Sequence, residues 1–340
     1  MAYANLILQP TVDAPECFKR LRDFVCKRNG SYDYSTTGIG WTLHDSYYAI
    51  DEDTISNGDW VVLYSPGETT DDDIYVQLLY STAATWLQVR AWLYWNNSTH
   101  AGVVGAGNSP GLTGSSANVE MLWVYGDMDE FSVITRGVTY YYGAYIGKTV
   151  ELFYDDTVAV SSAAVSSGSD ITITLDAVPS SWSVGQNIWI MDVAGAEKIA
   201  IKTISGNDIT ADIGTDRASG CKLRADFTNT QPTSNYFGQY MYSVISHDGS
   251  TGGTNAYGTG VGLFSSVYAS VNPDTMNDDL SCGPWVFHDT SPDGYYGRLK
   301  NVYHSNTTGK TSEQVFDGRD GEQYRYFNLY SNRYFLFKEV

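Results

Sequence analysis

Trp86-Leu87-Gln88-Val89-Arg90-Ala91-Trp92-Leu93-Tyr94-Trp95 alternates from end to end. A period of two sends neighbouring side chains to opposite faces of an extended strand. Leu87, Val89, Ala91, Leu93 and Trp95 share one face, which is apolar and reads as core. Trp86, Gln88, Arg90, Trp92 and Tyr94 share the other. That second face is aromatic but not purely apolar, which suits either a second packed layer or a contact surface. Trp86, Arg90, Trp92 and Tyr94 are therefore the candidate contact residues.

Working outward, the same pattern recurs. Strands are expected at Trp60 to Tyr64 and Ile74 to Tyr80, then at Glu120 to Tyr125, Glu130 to Thr135 and Val138 to Ile146. Tyr-rich strands return at the C-terminal end in RLKNVYH, SEQVF, EQYRYFNLY and RYFLFKEV. The composition agrees, with 27 Tyr and 33 Gly among 340 residues; aromatic and β-branched residues favour strands and glycines favour turns. One helix is expected, from Asp13 to Arg28. Asp13 and Glu16 have capping-box spacing, Pro15 sits in the first turn, Phe18, Leu21, Phe24 and Val25 share a face, and Asn29-Gly30 supplies a stop.

Between about Asp155 and Asp226 the chain changes character. Aromatics nearly vanish apart from Trp182 and Trp189, and small and β-branched residues take over. The stretch EKIAIKTISGNDITADIGTDRASGCKL, Glu197 to Leu223, reads as strands around a Ser205 to Asp208 turn, then a Ser219-Gly220 bend into a closing strand. A glycine-rich loop follows, from His247 to Gly262. This order is what an inserted domain produces. The expected fold is all-β: a discontinuous β-sandwich-like main domain (1–154 plus 227–340) with one N-terminal helix, and an inserted small β-barrel-like domain (155–226).

Thirty-nine acidic residues against 20 basic give a net charge of −19. Gripping nucleic acid requires Lys and Arg to displace counterions from phosphates, so no nucleic-acid-binding surface is expected. Cys17, Cys26, Cys221 and Cys282 form no CxxC pair and read as free, mostly buried thiols of a reducing cytoplasm. MAYANLILQP has neither the basic region nor the apolar core of a signal peptide, and no run approaches the length of a membrane span.

Several motifs match catalytic patterns by letter and fail on chemistry. Gly107-Asn108-Ser109-Pro110-Gly111 spells a nucleophile elbow, but Pro110 lacks the N–H that the oxyanion hole needs. Gly147-Lys148-Thr149 and Gly309-Lys310-Thr311 lack the earlier glycine of a phosphate loop, which would stand at Tyr142 or His304. His44-Asp45, His247-Asp248 and His288-Asp289 lack metal-ligand spacing and read as turn-type polar pairs beside strands. The clusters Asp51-Glu52-Asp53, Asp71-Asp72-Asp73 and Asp127-Met128-Asp129-Glu130 lack calcium-loop spacing and read as solvated turns. No catalytic residue, cofactor or metal site is expected, and the chain does not read as an enzyme.

Tyr94 to Gly102, YWNNSTHAG, resembles the YWNPxTHxG-type stretch of a family of tailed-bacteriophage virion structural proteins. As in that family, it follows an IYVxL-type strand, Ile74 to Leu78, and precedes MDEFSVITRGVTYYYGAYIG, Met128 to Gly147. Tyr296 to Tyr330 is similar to the family's ending, a G-x-L-x-x-V-[YF]-H strand, a glycine turn and a Y-x-x-F-x-N strand. The insert resembles a small β-module of phage structural proteins in Val184-Gly185-Gln186, Glu197 with Ile201, Ser205 to Thr210, and Ala218 to Cys221. The basic pair that the family carries is reduced here to Arg136. The resemblance implies a tail, neck or collar, or baseplate subunit of a virion, made in the host bacterial cytoplasm. Its implied partners are other virion proteins and copies of itself. The alternatives are a receptor- or glycan-binding tail module, with exposed Trp and Tyr faces stacking on a host-surface glycan, and a polysaccharide hydrolase acting through paired carboxylates.

Overall fold

The computed structural model describes residues 4–8, 13–67, 74–82, 85–105, 112–113, 121–136, 141–147, 149–150, 158–225, 261–263, 274–275, 281–290, 293–305, 310–318, 320–329 and 333–339. Strand β1 (Ala4–Leu8) is followed by helix α1 (Ala14–Val25). Next come β2 (Thr42–Tyr47), β3 (Trp60–Ser65), β4 (Ile74–Tyr80), β5 (Thr85–Asn96), β6 (Ala101–Gly105) and β7 (Leu112–Thr113). Strands β8 (Met121–Gly126), β9 (Glu130–Arg136), β10 (Tyr141–Gly147) and β11 (Thr149–Val150) complete the N-terminal part. Residues 158–225 carry β12 (Val158–Val160), β13 (Gly168–Thr174), β14 (Asn187–Asp192), β15 (Gly195–Ala200), β16 (Thr203–Ser205), β17 (Asp208–Ile213) and β18 (Lys222–Ala225). The C-terminal part holds β19 (Val261–Leu263), β20 (Asp274–Thr275), β21 (Ser281–Thr290), β22 (Asp293–Ser305), β23 (Val315–Asp317), β24 (Gln323–Leu329) and β25 (Arg333–Glu339).

Helix α1 starts where its capping residue dictates. Asp13 stays extended and its Oδ1 accepts the Glu16 N–H at 2.8 Å. Glu16 does not return the bond; its carboxylate pairs with Lys19 and Arg20 instead. The helix stops at Val25, ahead of Asn29-Gly30, because Lys27 takes a left-handed conformation (φ 51°). Phe18, Leu21, Phe24 and Val25 are fully buried. They share one core with Val61, Leu63, Val76, Leu78, Leu87 and Val89 of β3–β5, and with Leu122, Val124 and Val133 of β8–β9. Each such side chain contributes about 1.5–3 kcal/mol of burial, so α1 ties the two sheets together.

Strands β2-β3-β4-β5-β6 run antiparallel in a six-stranded sheet, with β7 on β5. The second sheet has twelve strands, with a main path β1-β8-β9-β10-β24-β25-β22-β21-β19. It joins strands from both sides of residues 155–226, through the parallel contact Tyr141↔Leu329 and the pairing of β11 with β22. The sheet curls without closing: Trp123 of β8 meets Phe327 of β24 at 5.0 Å, and Tyr125 stacks on Phe337 of β25 at 5.3 Å. Its terminal strands β1 and β19 are not paired with each other.

The expectation of a sandwich-like main domain with a barrel-like insert is corrected here. The described residues form an all-β fold with one helix and several open sheets, and no sheet closes into a barrel. Residues 158–225 split into a four-stranded sheet, β12-β18-β14-β15, and a three-stranded one, β13-β17-β16. Strand β18, expected to close a barrel, lies between β12 and β14. The stretch EKIAIKTI is not one strand: Ile201 N–H donates to Gln186 O and the next N–H, of Lys202, to Thr210 O. The chain changes sheets between adjacent residues.

No helix among the described residues is long and apolar enough to cross a membrane. Of the cysteines, Cys17, Cys26 and Cys221 are free thiols. Burial pushes the Cys26 thiol up to about 12, which keeps it protonated and poorly nucleophilic.

Candidate functional site

The ladder of β2 to β5 fixes which side chains share the face turned away from α1. Opposed residues lie on one face, so the register builds three rows: Thr42–Tyr64–Tyr75–Trp92, Asp45–Val62–Gln77–Arg90 and Tyr47–Trp60–Leu79–Gln88. Val62, Tyr75 and Trp95 are buried at the centre of an aromatic cluster, with Trp60, Tyr64, Trp92 and Tyr94 packed around them. Tyr64 and Tyr75 lie 5.1 Å apart, Trp60 and Trp95 5.4 Å, Trp92 and Trp95 5.8 Å, and Tyr75 and Tyr94 5.8 Å. At the rim Tyr47, 54% exposed, stacks on Trp60 at 6.4 Å.

Arg90, Trp92 and Tyr94 thus come together, half-buried, as the alternation requires. Trp86 lies in β5, but its side chain falls outside the described residues. Trp95 departs from its expected place in the core and joins the aromatic cluster. The β4–β5 ladder ends at Tyr75↔Trp92, and beyond it β5 pairs only with β6. The Trp95 indole reaches Asp45, whose Oδ2 accepts the Trp95 Nε1–H at 2.6 Å.

The hairpin joining β5 to β6 is the YWNNSTHAG stretch, and its residues have physical roles here. Asn96 Oδ1 accepts the N–H groups of Ser98 (2.8 Å) and Thr99 (3.2 Å), shaping the turn. Asn97 donates to His44 O at 3.2 Å. His100 takes a left-handed conformation (φ 51°), and its Nδ1 lies 2.9 Å from the same Asp45 Oδ2. Gly102 is required: a Cβ there would lie 1.9 Å from Trp92 Cδ2. His44, packed 5.1 Å from Tyr75, is held below the usual histidine range by burial, against hydrogen bonding to the Trp95 backbone and the charge of Asp45. It is neutral at pH 7. Far from forming a turn, His44 and Asp45 lie in β2 beside a bulge between Leu43 and Asp45.

Three polar atoms on this face lack hydrogen-bond partners although buried: Gln77 Oε1, Arg90 Nε and Trp92 Nε1. Each such group costs about 1–3 kcal/mol when left unpaired. Residues 158–225 reach the corner of the same face. Asn96 Nδ2 donates to Val193 O at 2.6 Å, in the β14–β15 turn, and Asp192 adds to the burial that raises the Tyr94 hydroxyl.

The remaining sequence candidates are structural where they can be seen. Asp127, Asp129 and Glu130 are buried, not solvated. Lys300 Nζ lies 2.9 Å from Asp127 Oδ2 and 2.7 Å from Asp129 Oδ2, and Asn301 donates to Asp127 and Glu130. Glu130 is driven well above the usual carboxyl range by burial and then by the charge of Asp127, while the Asn301 hydrogen bond opposes the shift. Asp51-Glu52-Asp53 is a turn on the helix side, where Glu52 pairs with Arg28 at 2.8 Å and Asp51 caps Thr54 at 2.8 Å. Gly147 ends β10, and Lys310 lies in the segment before β23. The elbow-like Gly107–Gly111, Asp71–Asp73, His247-Asp248, Lys148 and Gly309 lie outside the described residues, as do the side chains of His288-Asp289.

Sequence reasoning missed Asp45, Trp60, Tyr64, Tyr75, Gln77 and His100. The signal for most of them was present: Trp60-Val62-Tyr64 and Tyr75-Gln77 repeat, on adjacent strands, the aromatic alternation of Arg90-Trp92-Tyr94. Compared with known proteins, the chain matches no family model and no curated sequence.

Proposed function

We propose that this chain is a structural subunit of a tailed-phage virion, in the tail, the neck or collar, or the baseplate, assembling in a ring through protein–protein contacts. The observation that carries this is the aromatic face of the six-stranded sheet. It presents half-buried Trp60, Tyr64, Trp92 and Tyr94 with unpaired polar atoms among them. Aromatic residues with Arg, depleted of acidic groups, are the composition of an interface core. The resemblance of Tyr94–Gly102 to a virion family supports the reading from a separate side, because that stretch builds the corner of this face.

An electron-microscopy map of intact particles containing the chain tests the proposal. The expected result is a ring of copies with this face buried against a neighbour. Copies that form no ring, or a face that points into solvent, sink it.

A second reading, recognition of a host-surface glycan, rests on one observation. The exposed Tyr47 ring lies nearly parallel to Trp60 (22°), and Trp60 lies 6.3 Å from the exposed imidazole of His100. Such a platform suits stacking on a sugar ring beside a hydrogen-bonding group. Glycan-array binding lost in Tyr47→Ala would favour it over the assembly reading; an array with no retention excludes it.

A further inference from the structure

We propose that Lys300 and Asp127 condense to a side-chain amide in the folded chain, with Glu130 as proton carrier, a modification independent of the assembly reading above. The reacting atoms already meet. Lys300 Nζ lies 2.9 Å from Asp127 Oδ2 and 2.7 Å from Asp129 Oδ2. Asn301 Nδ2 donates to Asp127 Oδ2 at 3.3 Å and to Glu130 Oε1 at 3.2 Å, which sets those two carboxyls side by side. Asp127 is 4% exposed and Glu130 1%. The backbone bends to bring these groups together. Successive side chains of a strand point to opposite faces, yet Lys300 and Asn301 both reach the β8–β9 turn. Asn301 takes a left-handed conformation (φ 57°) where β22 slips against β21, between the pairs Arg298↔Val286 and Tyr303↔Pro284. A bulge of this kind re-aims side chains, and backbone strain held at a polar cluster points to function.

The surroundings single out the acceptor and the proton carrier. Asp127 Oδ1 accepts the Asp129 N–H at 2.9 Å, a donor placed to meet the charge of a tetrahedral intermediate. Glu130 is held protonated near neutral pH by burial and then by the charge of Asp127, and such a carboxyl can take one proton while giving another. Burial favours the neutral amine of Lys300, while hydrogen bonds to Asp129 and Asp127 outweigh it and keep the ammonium. Reaction therefore starts when an Nζ proton crosses to Asp127 Oδ2, leaving an amine facing a neutral carboxyl. The Nζ lone pair attacks Cγ, the C–N bond forms, and negative charge gathers on Oδ1. Glu130 takes a second proton from Nζ and passes its own to the Oδ2 hydroxyl. The C–Oδ2 bond breaks, water leaves, and Glu130 ends as it began. A neutral amide then stands where two desolvated charges stood. Contact between the partners supplies the effective concentration that condensation lacks in water. Along the sheet, β10, β24 and β25 separate β9 from β22, so the bond staples the curled sheet crosswise.

Intact-mass spectrometry with peptide mapping tests this, on the purified full chain denatured after several days at neutral pH. Wild type is expected one water below the mass of its sequence, with a branched peptide joining Lys300 to Asp127. Lys300→Arg and Asp127→Ala are expected at full mass. Glu130→Gln keeps the shape of the cluster and should melt cooperatively, yet convert about a hundredfold more slowly. Wild type at full sequence mass overturns the proposal, so a variant that fails to fold leaves the test intact. A water loss that persists in Lys300→Arg also overturns it, and assigns the loss to a succinimide at an Asp-Gly step such as Asp317-Gly318. A branch at Asp129 overturns Asp127 as acceptor. Conversion of Glu130→Gln at the wild-type rate overturns the proton carrier.

Discussion

Two β regions of this molecule solve burial differently. Strands β8 and β9 are buried on both faces, residue after residue. Leu122, Val124 and Val133 face the core around α1, while Trp123 and Tyr125 pack beneath the curled-over β24 and β25. Within residues 158–225, β13 and β17 bury one face only, and the buried set is Ile173, Ile209, Ala211 and Ile213. A sheet covered on both sides needs bulk in both directions, and aromatics supply it. A small sheet with one covered face is filled by isoleucine and alanine. The change in composition along the chain therefore reports how many faces each sheet buries. The face of the six-stranded sheet falls between the two cases: it is aromatic but only half-covered, and it carries unpaired polar groups.

The comparison breaks most visibly at its buried arginines. Arg217, beside the β14–β15 hairpin, is 4% exposed and donates to Asp192 (3.0 Å), Gly195 O (2.9 Å) and Glu197 (3.2 Å). It fixes the β14–β15 turn that touches Asn96. Arg217→Ala leaves those carboxylates uncompensated, at an expected cost of about 3–5 kcal/mol. If residues 158–225 unfold by themselves, hydrogen exchange will show protection lost there and retained in β3–β5. Equal loss in both regions would show one cooperative unit, and the division of the chain at 155–226 would fail.

Next in size is the hairpin. Gly102→Ala drives a methyl into the Trp92 ring, because a Cβ there meets Cδ2 at 1.9 Å. Overpacking of this kind costs about 1–3 kcal/mol, and here it should also alter tryptophan fluorescence as the ring leaves its place between Gly102 and Trp95. An Ala variant with unaltered emission and melting would mean that Trp92 is free to move. Asp45→Asn follows at about 1–2 kcal/mol, since the Trp95 indole and His100 lose an ionised acceptor. A double-mutant cycle of Asp45→Asn and Trp95→Phe, read by thermal melts, should show a coupling of about 0.5 kcal/mol or more if the two residues act through this bond, and strictly additive costs would break the link.

Much of this was legible in sequence, and the failures share a cause. The capping of α1, the extent of β4 and the turn at Ser205 to Asp208 depend on neighbours a few residues away, and local chemistry specifies them. The switch of sheets at Ile201 and Lys202 left no trace because burial still alternates through it: Ile199 and Ile201 are buried and Lys202 is exposed. Trp95 was misplaced because nothing in its neighbours shows that β4 stops at Trp92, beyond which β5 pairs only with β6 and Trp95 joins the other aromatic cluster. The acidic turn at Asp127–Glu130 looked solvated because its cation, Lys300, is distant in sequence and arrives only through β22.

That turn offers the smallest effect and the sharpest sign. Glu130 is fully buried, its Oε2 has no partner, and its carboxyl is held well above the ordinary value of 4.5, first by burial and then by Asp127. A carboxyl raised by folding binds more protons folded than unfolded. Its stabilising share is then complete below the unfolded value and is lost as pH rises through the folded one. Lys300 is also raised, with the same sign but at far higher pH. Burial opposes its charge, hydrogen bonds to Asp129 and Asp127 outweigh that and raise it, and so its contribution persists to strongly alkaline pH. As pH rises above the ordinary carboxyl range, the stabilising share of Glu130 therefore declines. Glu130→Gln removes that titration while keeping the shape. The melting temperature of Glu130→Gln relative to wild type should climb by a few degrees as pH rises, from its lowest value near pH 4.5. A difference that stays flat from pH 4.5 to 9 would mean that Glu130 is ionised in the fold, its charge met by Lys300 and Asn301.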